Sequence, residues 1–112
     1  MAPPVDKRIY IRTLLYGFSW DPAKSEENLR LRGFDFAFAS LIFSGPTLER
    51  EDRRQDYGEP RVIAIGLAGG LEVTVVYTDR LQAGNRVERR LISARRSNRH
   101  ERKAYQASLK AP

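Results

Sequence analysis

The chain has 112 residues, 41% of them hydrophobic, which suits one compact domain. It holds no cysteine, which excludes disulfides and thiolate metal sites, and no apolar run long enough to span a bilayer as a helix. Twenty Lys or Arg against fourteen Asp or Glu leave a net charge of +6, a field that favours polyanions or an acidic partner.

The charge is regional. Between Arg86 and Lys103 there are eight Arg or Lys and two Glu, so this segment holds the whole excess and the rest is balanced. A concentrated basic stretch is what an electrostatic footprint for nucleic acid looks like.

In chain order, Met1–Asp6 contains Pro3-Pro4 and reads as a loose end. The apolar stretch after Lys7 and Arg8 is cut by Arg12, which is not the layout of a signal peptide. Ile9–Tyr16, partly β-branched, reads as a strand. Asp21 is a helix cap, Pro22 suits a first helical position, and Gly33 is a stop, so a helix is predicted over Pro22–Arg32. A second short helix is expected over Phe36–Phe43, ended by Ser44-Gly45-Pro46.

Glu49–Glu59 is polar and reads as a hairpin-like excursion or a loop, its acidic residues as a solvated loop or an edge guarded by charge. Then the period changes. Arg61–Ala68 and Leu71–Asp79 read as strands around a Gly69-Gly70 hairpin turn, and Val87–Arg96 as a third after a turn over Arg80–Arg86. Adjacent Leu91 and Ile92 predict a strand covered on both faces. Asn98 with Glu101 three residues on resembles a capping box, opening a last helix over Arg99–Leu109. The expected class is α+β: one domain, with a small antiparallel sheet of three to four strands, two N-terminal helices and a C-terminal helix.

Four stretches, FSWDPAKSEENLRLRG, EPRVIAIG, VVYTDR and RLISARRSNRHERKAY, follow one another in this order. Together they resemble the BrnT family, toxins of type II toxin–antitoxin systems, from Phe18 to Tyr105. The most specific parts are Trp20-Asp21-Pro22 with Lys24 and Asn28, and Ile92-Ser93-Ala94-Arg95 with Glu101-Arg102 and Tyr105.

The resemblance implies a RelE-like fold and an endoribonuclease that inhibits translation. It also implies the cytoplasm of a bacterium and neutralisation by a BrnA-like antitoxin whose ribbon–helix–helix part binds DNA. Operator DNA would be contacted only through that complex, and no membrane is involved. Residues 1–16 then look like an N-terminal extension, either a misassigned start codon or an added edge strand. One departure bears on catalysis. Relatives often place Lys-His before the glycine that ends the first helix, where this chain has Leu31-Arg32. That leaves a second reading, a toxin-fold module that binds antitoxin or RNA without cutting.

Metal-independent RNA cleavage needs the 2′-OH aligned on its phosphate, a proton acceptor, and cations where charge builds. Arginine suits the last role because its fork stays charged and grips two oxygens. The catalytic candidates are Arg61, Arg95, Glu59 and Arg90. Arg95 is either a phosphate ligand or the partner of Glu101 or Glu59. Glu59 and Arg61 share a strand face, so the carboxylate is either a base or a brace for the arginine. Strict alternation gives Arg89 the face of Arg95, and only a bulge gives it to Arg90.

The RNA-binding candidates are Lys24, Arg32, Arg89, Arg96, Arg99, His100, Arg102 and Lys103, the alternative being a solvated face. His100, the sole histidine, is a proton-transfer candidate by residue type but falls in a helical first turn. Glu49, Glu51, Asp52 and Asp56 lack a calcium-loop spacing, and one histidine makes no zinc set, so neither metal nor cofactor is expected.

Overall fold

The computed structural model describes residues 8–11 and 14–110. The loose end expected over Met1–Asp6 lies outside the described residues. Among those described, six strands form one sheet in the order β1-β2-β6-β5-β4-β3. The strands are β1 (Arg8–Ile11), β2 (Leu14–Ser19), β3 (Leu48–Glu51), β4 (Val62–Ala68), β5 (Leu71–Gln82) and β6 (Arg86–Arg96). The helices are α1 (Pro22–Arg32), α2 (Phe36–Ala39) and α3 (Arg99–Lys110).

The class is α+β, as expected, but the sheet is larger than the predicted three to four strands. It is also mixed, since β2 runs parallel to β6 while the other neighbours are antiparallel. The strand expected over Ile9–Tyr16 is two paired strands, β1 and β2.

β3 falls where a hairpin-like excursion or a loop was expected, and it is the charge-guarded edge of those readings. Its four residues, Leu-Glu-Arg-Glu, are mostly exposed, so no apolar alternation marks them. Pairing with β4 makes them a strand, and charged side chains suit a sheet edge. The second helix is shorter than predicted: α2 stops at Ala39 and a 3-10 turn continues over Ser40–Ser44.

Local chemistry set α1 where the sequence places it. Asp21 accepts a hydrogen bond from the Ala23 N–H at 2.9 Å, Pro22 opens the helix, and Gly33 closes it with φ 86°. β4, β5 and β6 form the predicted meander, with positive φ at Gly69 and Gly70 in the first turn. The second turn is tighter than expected, because the strands run on and leave only Ala83–Asn85 between them.

One sheet face holds the main core. Ala64 and Ala68 of β4, Val73, Val75 and Tyr77 of β5, and Leu91 and Ala94 of β6 pack with Phe34, Phe36, Ala39 and Ile42. Removing each large aliphatic or aromatic group from water contributes about 1.5–3 kcal/mol. Gly66 allows the 3-10 turn to lie close on β4, since a Cβ there would meet Ile42 Cβ at 2.8 Å. On the other face α3 is fixed by buried Tyr105, whose hydroxyl donates to the Pro46 carbonyl at 2.9 Å.

The β5–β6 register shifts once. Tyr77 opposes Leu91 and Val76 opposes Ser93, so Ile92 is an extra, bulged residue. The adjacent pair Leu91-Ile92 thus reflects a bulge as well as burial. The shift settles the parity of the arginines. Arg90 opposes Thr78 and Arg95 opposes Thr74, four residues apart on a regular strand, so Arg90 and Arg95 share a face and Arg89 takes the other.

Candidate functional site

β2 pairs with β6 only as far as Arg90, so the rest of β6 has an edge without a strand neighbour. α1 lies there and is held by polar groups. Its buried residues are Ser25 and Asn28. Ser25 Oγ accepts from the Phe36 N–H at 3.0 Å, and Asn28 Nδ2 donates to the Phe34 carbonyl at 2.9 Å. Arg32 Nη1 donates to the Ala94 carbonyl at 2.8 Å and to Asn28 Oδ1 at 3.3 Å. A polar helix is thereby fixed beside the sheet by hydrogen bonds instead of an apolar stripe.

Between α1 and the loop that joins β3 to β4 lies a groove of about 360 Å³. Val76, Ile92 and Ser93 line it from the sheet, Lys24 and Arg32 from α1, and Arg54 and Arg61 from the loop side. Four cations therefore share a space in which Glu27 is the one lining carboxylate.

The loop is built to present its arginines. The Asp52 N–H donates to the Arg61 carbonyl at 2.8 Å, closing the loop's two ends on each other. Asp52 is buried, and Arg54 reaches it through two parallel bonds, Nε to Oδ1 at 2.8 Å and Nη2 to Oδ2 at 2.7 Å. That fork holds the Asp52 carboxyl well below the usual carboxylate range, against the opposing effect of burial, and raises Arg54. Arg61 lies over the Tyr57 ring, 4.0 Å from its centroid. Glu59 Oε2 is 3.6 Å from Arg61 Nε, beyond a hydrogen bond, and that Nε is buried with no acceptor among the described residues.

Of the four catalytic candidates, only Arg61 lines this groove. Glu59 sits between Arg61 and Arg80, 3.4 Å from Arg80 Nη2, as a brace would. Arg95 is bound to Glu101 by two bonds of 2.7 Å, the structural alternative of its two readings. It follows the lining residue Ser93 by two positions on the same face, but its own guanidinium does not line the groove. Arg90 shares that face but does not line the groove.

Glu101 also accepts from the Asn98 N–H at 2.8 Å, while Asn98 Oδ1 accepts from the Glu101 N–H at 2.9 Å, the expected capping box. Arg95, with help from Asn98 and Thr74, pulls Glu101 down to about 2 and is itself raised.

Lys24 and Arg32 reach the groove, and the other RNA-binding candidates lie elsewhere. Arg89 is on the opposite sheet face, bidentate to Asp79 at 2.8 Å and over the rings of Phe43 and Tyr77. Burial there pushes the Tyr77 hydroxyl up, with its bond to Glu49 acting in the same direction. Arg102 caps the Ser97 carbonyl at 2.8 Å. Arg99 and Lys103 are exposed on α3, and Arg96 lines a neighbouring hollow with Phe34, Phe38 and Arg32, the residue it shares with the groove. His100 borders a separate, mainly apolar cavity of about 300 Å³ with Leu48, Ile63, Ile65 and Ala104.

Sequence reasoning missed Arg54, Ser93 and the buried role of Asp52. The one signal for the pair was an Asp two residues before an Arg in a stretch that otherwise reads as solvated charge.

A family model for BrnT, the ribonuclease toxin of type II toxin–antitoxin systems, matches residues 20–101. The chain belongs to the BrnT family. The BrnT match spans α1 to the first turn of α3 and so includes every side chain that lines the groove, while β1 and β2 precede it. Among curated proteins, none matches the chain. BrnT toxins act as ribonucleases within a type II pair, which implies an antitoxin protein and an RNA substrate. Among the described residues, no helix is long and apolar enough to cross a membrane.

Proposed function

We propose that the protein is a metal-independent endoribonuclease that arrests translation, and that its groove holds the scissile phosphate of RNA. The convergence of Lys24, Arg32, Arg54 and Arg61 on one space carries the reading. Cleavage here means attack of a 2′-oxygen on its adjacent phosphorus with loss of the 2′-OH proton to a base, and departure of the 5′-oxygen with a proton taken from water. Arg54 and Arg61 offset the charge that builds on the non-bridging oxygens, and Lys24 and Arg32 hold the flanking backbone. One aimed donor typically supplies about 3–4 kcal/mol to such a transition state. Arg61 is well suited, because its guanidinium lines the groove while lying over the Tyr57 ring, which holds it in place. Glu27, the carboxylate that lines the groove, is the acceptor this reading assigns to the 2′-OH proton. Arg90, Arg96, Arg99, Arg102 and Lys103 extend the positive field that draws RNA in. Arg95 keeps α3 docked beside the groove.

The partner in this reading is a BrnA-like antitoxin that neutralises the toxin in the cytoplasm and carries the complex to operator DNA. The test is RNA incubated with purified protein and EDTA, with and without ribosomes. Cutting under chelation is expected. Intact RNA at high protein excess in every arm would reject the nuclease, and cutting that returns only with added magnesium would reject metal independence.

A second reading has a specific observation behind it. Arg32, at a position the family resemblance pairs with histidine, is tied to Ala94 and Asn28, and His100 lies outside the groove. The groove would then bind RNA or antitoxin without cutting. In that case RNA stays intact in the assay above but still binds, with a salt-dependent affinity that Arg61→Ala weakens.

A further inference from the structure

We propose that Asp52 is a positioning residue for RNA cleavage: its buried carboxylate aims Arg54 into the groove. The inference rests on the groove being the RNA site. The pair is asymmetric. The Asp52 side chain is 0% exposed, whereas that of Arg54 is 66% exposed and lines the groove. An exposed arginine on a loop would ordinarily sweep many rotamers, which costs rate when it must meet a phosphate at one place. Two parallel bonds of 2.8 and 2.7 Å remove that freedom. They use the Nε–Nη2 edge of the fork and leave Nη1 turned away from Asp52, available to a phosphate oxygen.

The carboxylate is itself fixed. Its Oδ1 accepts the Arg54 N–H at 3.2 Å, and its own N–H is bound to the Arg61 carbonyl. One residue thus sets the place of both loop arginines, Arg54 through its side chain and Arg61 through its backbone. The contrast with Glu59 sharpens the point. Glu59 meets Arg61 and Arg80 at 3.6 and 3.4 Å without a fork, and all three side chains are partly exposed. A buried carboxylate is costly unless fully bonded, so a structural brace alone would be met as well by a neutral group.

The experiment is a double-mutant cycle on the full chain: wild type, Asp52→Asn, Arg54→Gln and the double variant. Each is assayed for RNA cleavage in EDTA and for thermal melting. Glutamine removes the fork while its amide can still meet Asp52. Asp52→Asn is expected to lower kcat by about 10–100-fold with a smaller change in KM, the pattern of an interaction made in the transition state. Arg54→Gln should lower it at least as far, and the double variant should be no worse than Arg54→Gln within about twofold.

Equal cleavage by wild type and Asp52→Asn overturns the proposal. So does an Asp52→Asn loss of the same size with and without Arg54, which is what a purely structural role predicts. Asp52→Ser, which keeps an acceptor for the Arg54 N–H, is the second variant if Asp52→Asn melts below the assay temperature. If neither folds, Asp52 belongs to the fold and the assignment falls. If wild type leaves RNA intact, the groove's function has failed first and this proposal with it.

Discussion

Two arginine-bearing regions face one another across the groove, and they differ in an instructive way. The segment from Arg86 to Lys103 has the chain's whole positive excess, yet none of the cations that line the groove comes from it. The stretch from Glu49 to Arg61 has four arginines among five carboxylates, and it supplies two of the four. The reason is partnering. In the basic segment Arg89 is held by Asp79, Arg95 by Glu101 and Arg102 by the Ser97 carbonyl. In the loop, carboxylates brace the arginines from behind and leave their other side toward the groove. Local charge density therefore says where a field lies but not which guanidinium reaches a substrate.

The sharpest way to break this comparison is to remove one arginine from each region. Arg61→Ala is expected to lower cleavage about 100–1,000-fold, the usual loss for one aimed donor. Arg95→Ala should instead cost stability, about 1–2 kcal/mol for a half-exposed pair, or roughly 4–10 °C in melting temperature. Cleavage per folded Arg95→Ala molecule should stay within about tenfold of wild type, because its guanidinium does not line the groove. A reversed pattern in parallel cleavage and melting assays would return the catalytic role to β6.

The same partnering explains what could be read from the chain beforehand. α1 was legible to the residue because Asp21, Pro22 and Gly33 act on their own neighbours. The Asn98–Glu101 box and the Gly69-Gly70 turn were legible for the same reason. β3 was legible only as one of two alternatives, since Leu48–Glu51 is a strand only by pairing with β4. The bulge at Ile92 was foreseen only as a condition on parity, because a register shift is a property of two strands. Arg54 was passed over for a related reason. A balanced charge run reads as solvated, and only the closing of the loop on Arg61 shows that Asp52 is inside.

Acid should separate the two regions by their carboxylates. Glu101 is held at about 2 against an ordinary 4.5, chiefly by Arg95. A depressed carboxylate stabilises the fold fully above its unfolded pKa, and that contribution is lost as pH falls from about 4.5 toward 2. The Asp52 carboxyl is also held well below its usual range, by the Arg54 fork, so Glu101→Gln isolates the α3 pair from the loop pair. Wild type should melt above Glu101→Gln at neutral pH, and the gap should close across that window. A gap that stays constant to pH 2 would mean the Arg95–Glu101 pair is not what anchors α3.

The smallest effect is expected on the outer face of α3, where Arg99 and Lys103 are exposed and no ion pair among the described residues engages them. Cations so placed act on RNA through a screened field and not through fixed contacts. The variant Arg99→Ala with Lys103→Ala should change cleavage at physiological salt by less than about threefold, because screening leaves little of the field there. Its effect should grow at low salt. Fluorescence titration of single-stranded RNA at several salt concentrations reads this directly. Each lost phosphate contact reduces the logarithmic salt slope by about 0.7 for a single strand, so loss of both contacts would approach twice that. A full reduction would place RNA across α3 as well as in the groove, and the basic segment would then be a binding track in its own right. An unchanged slope would leave the outer face of α3 as a solvated surface away from the RNA.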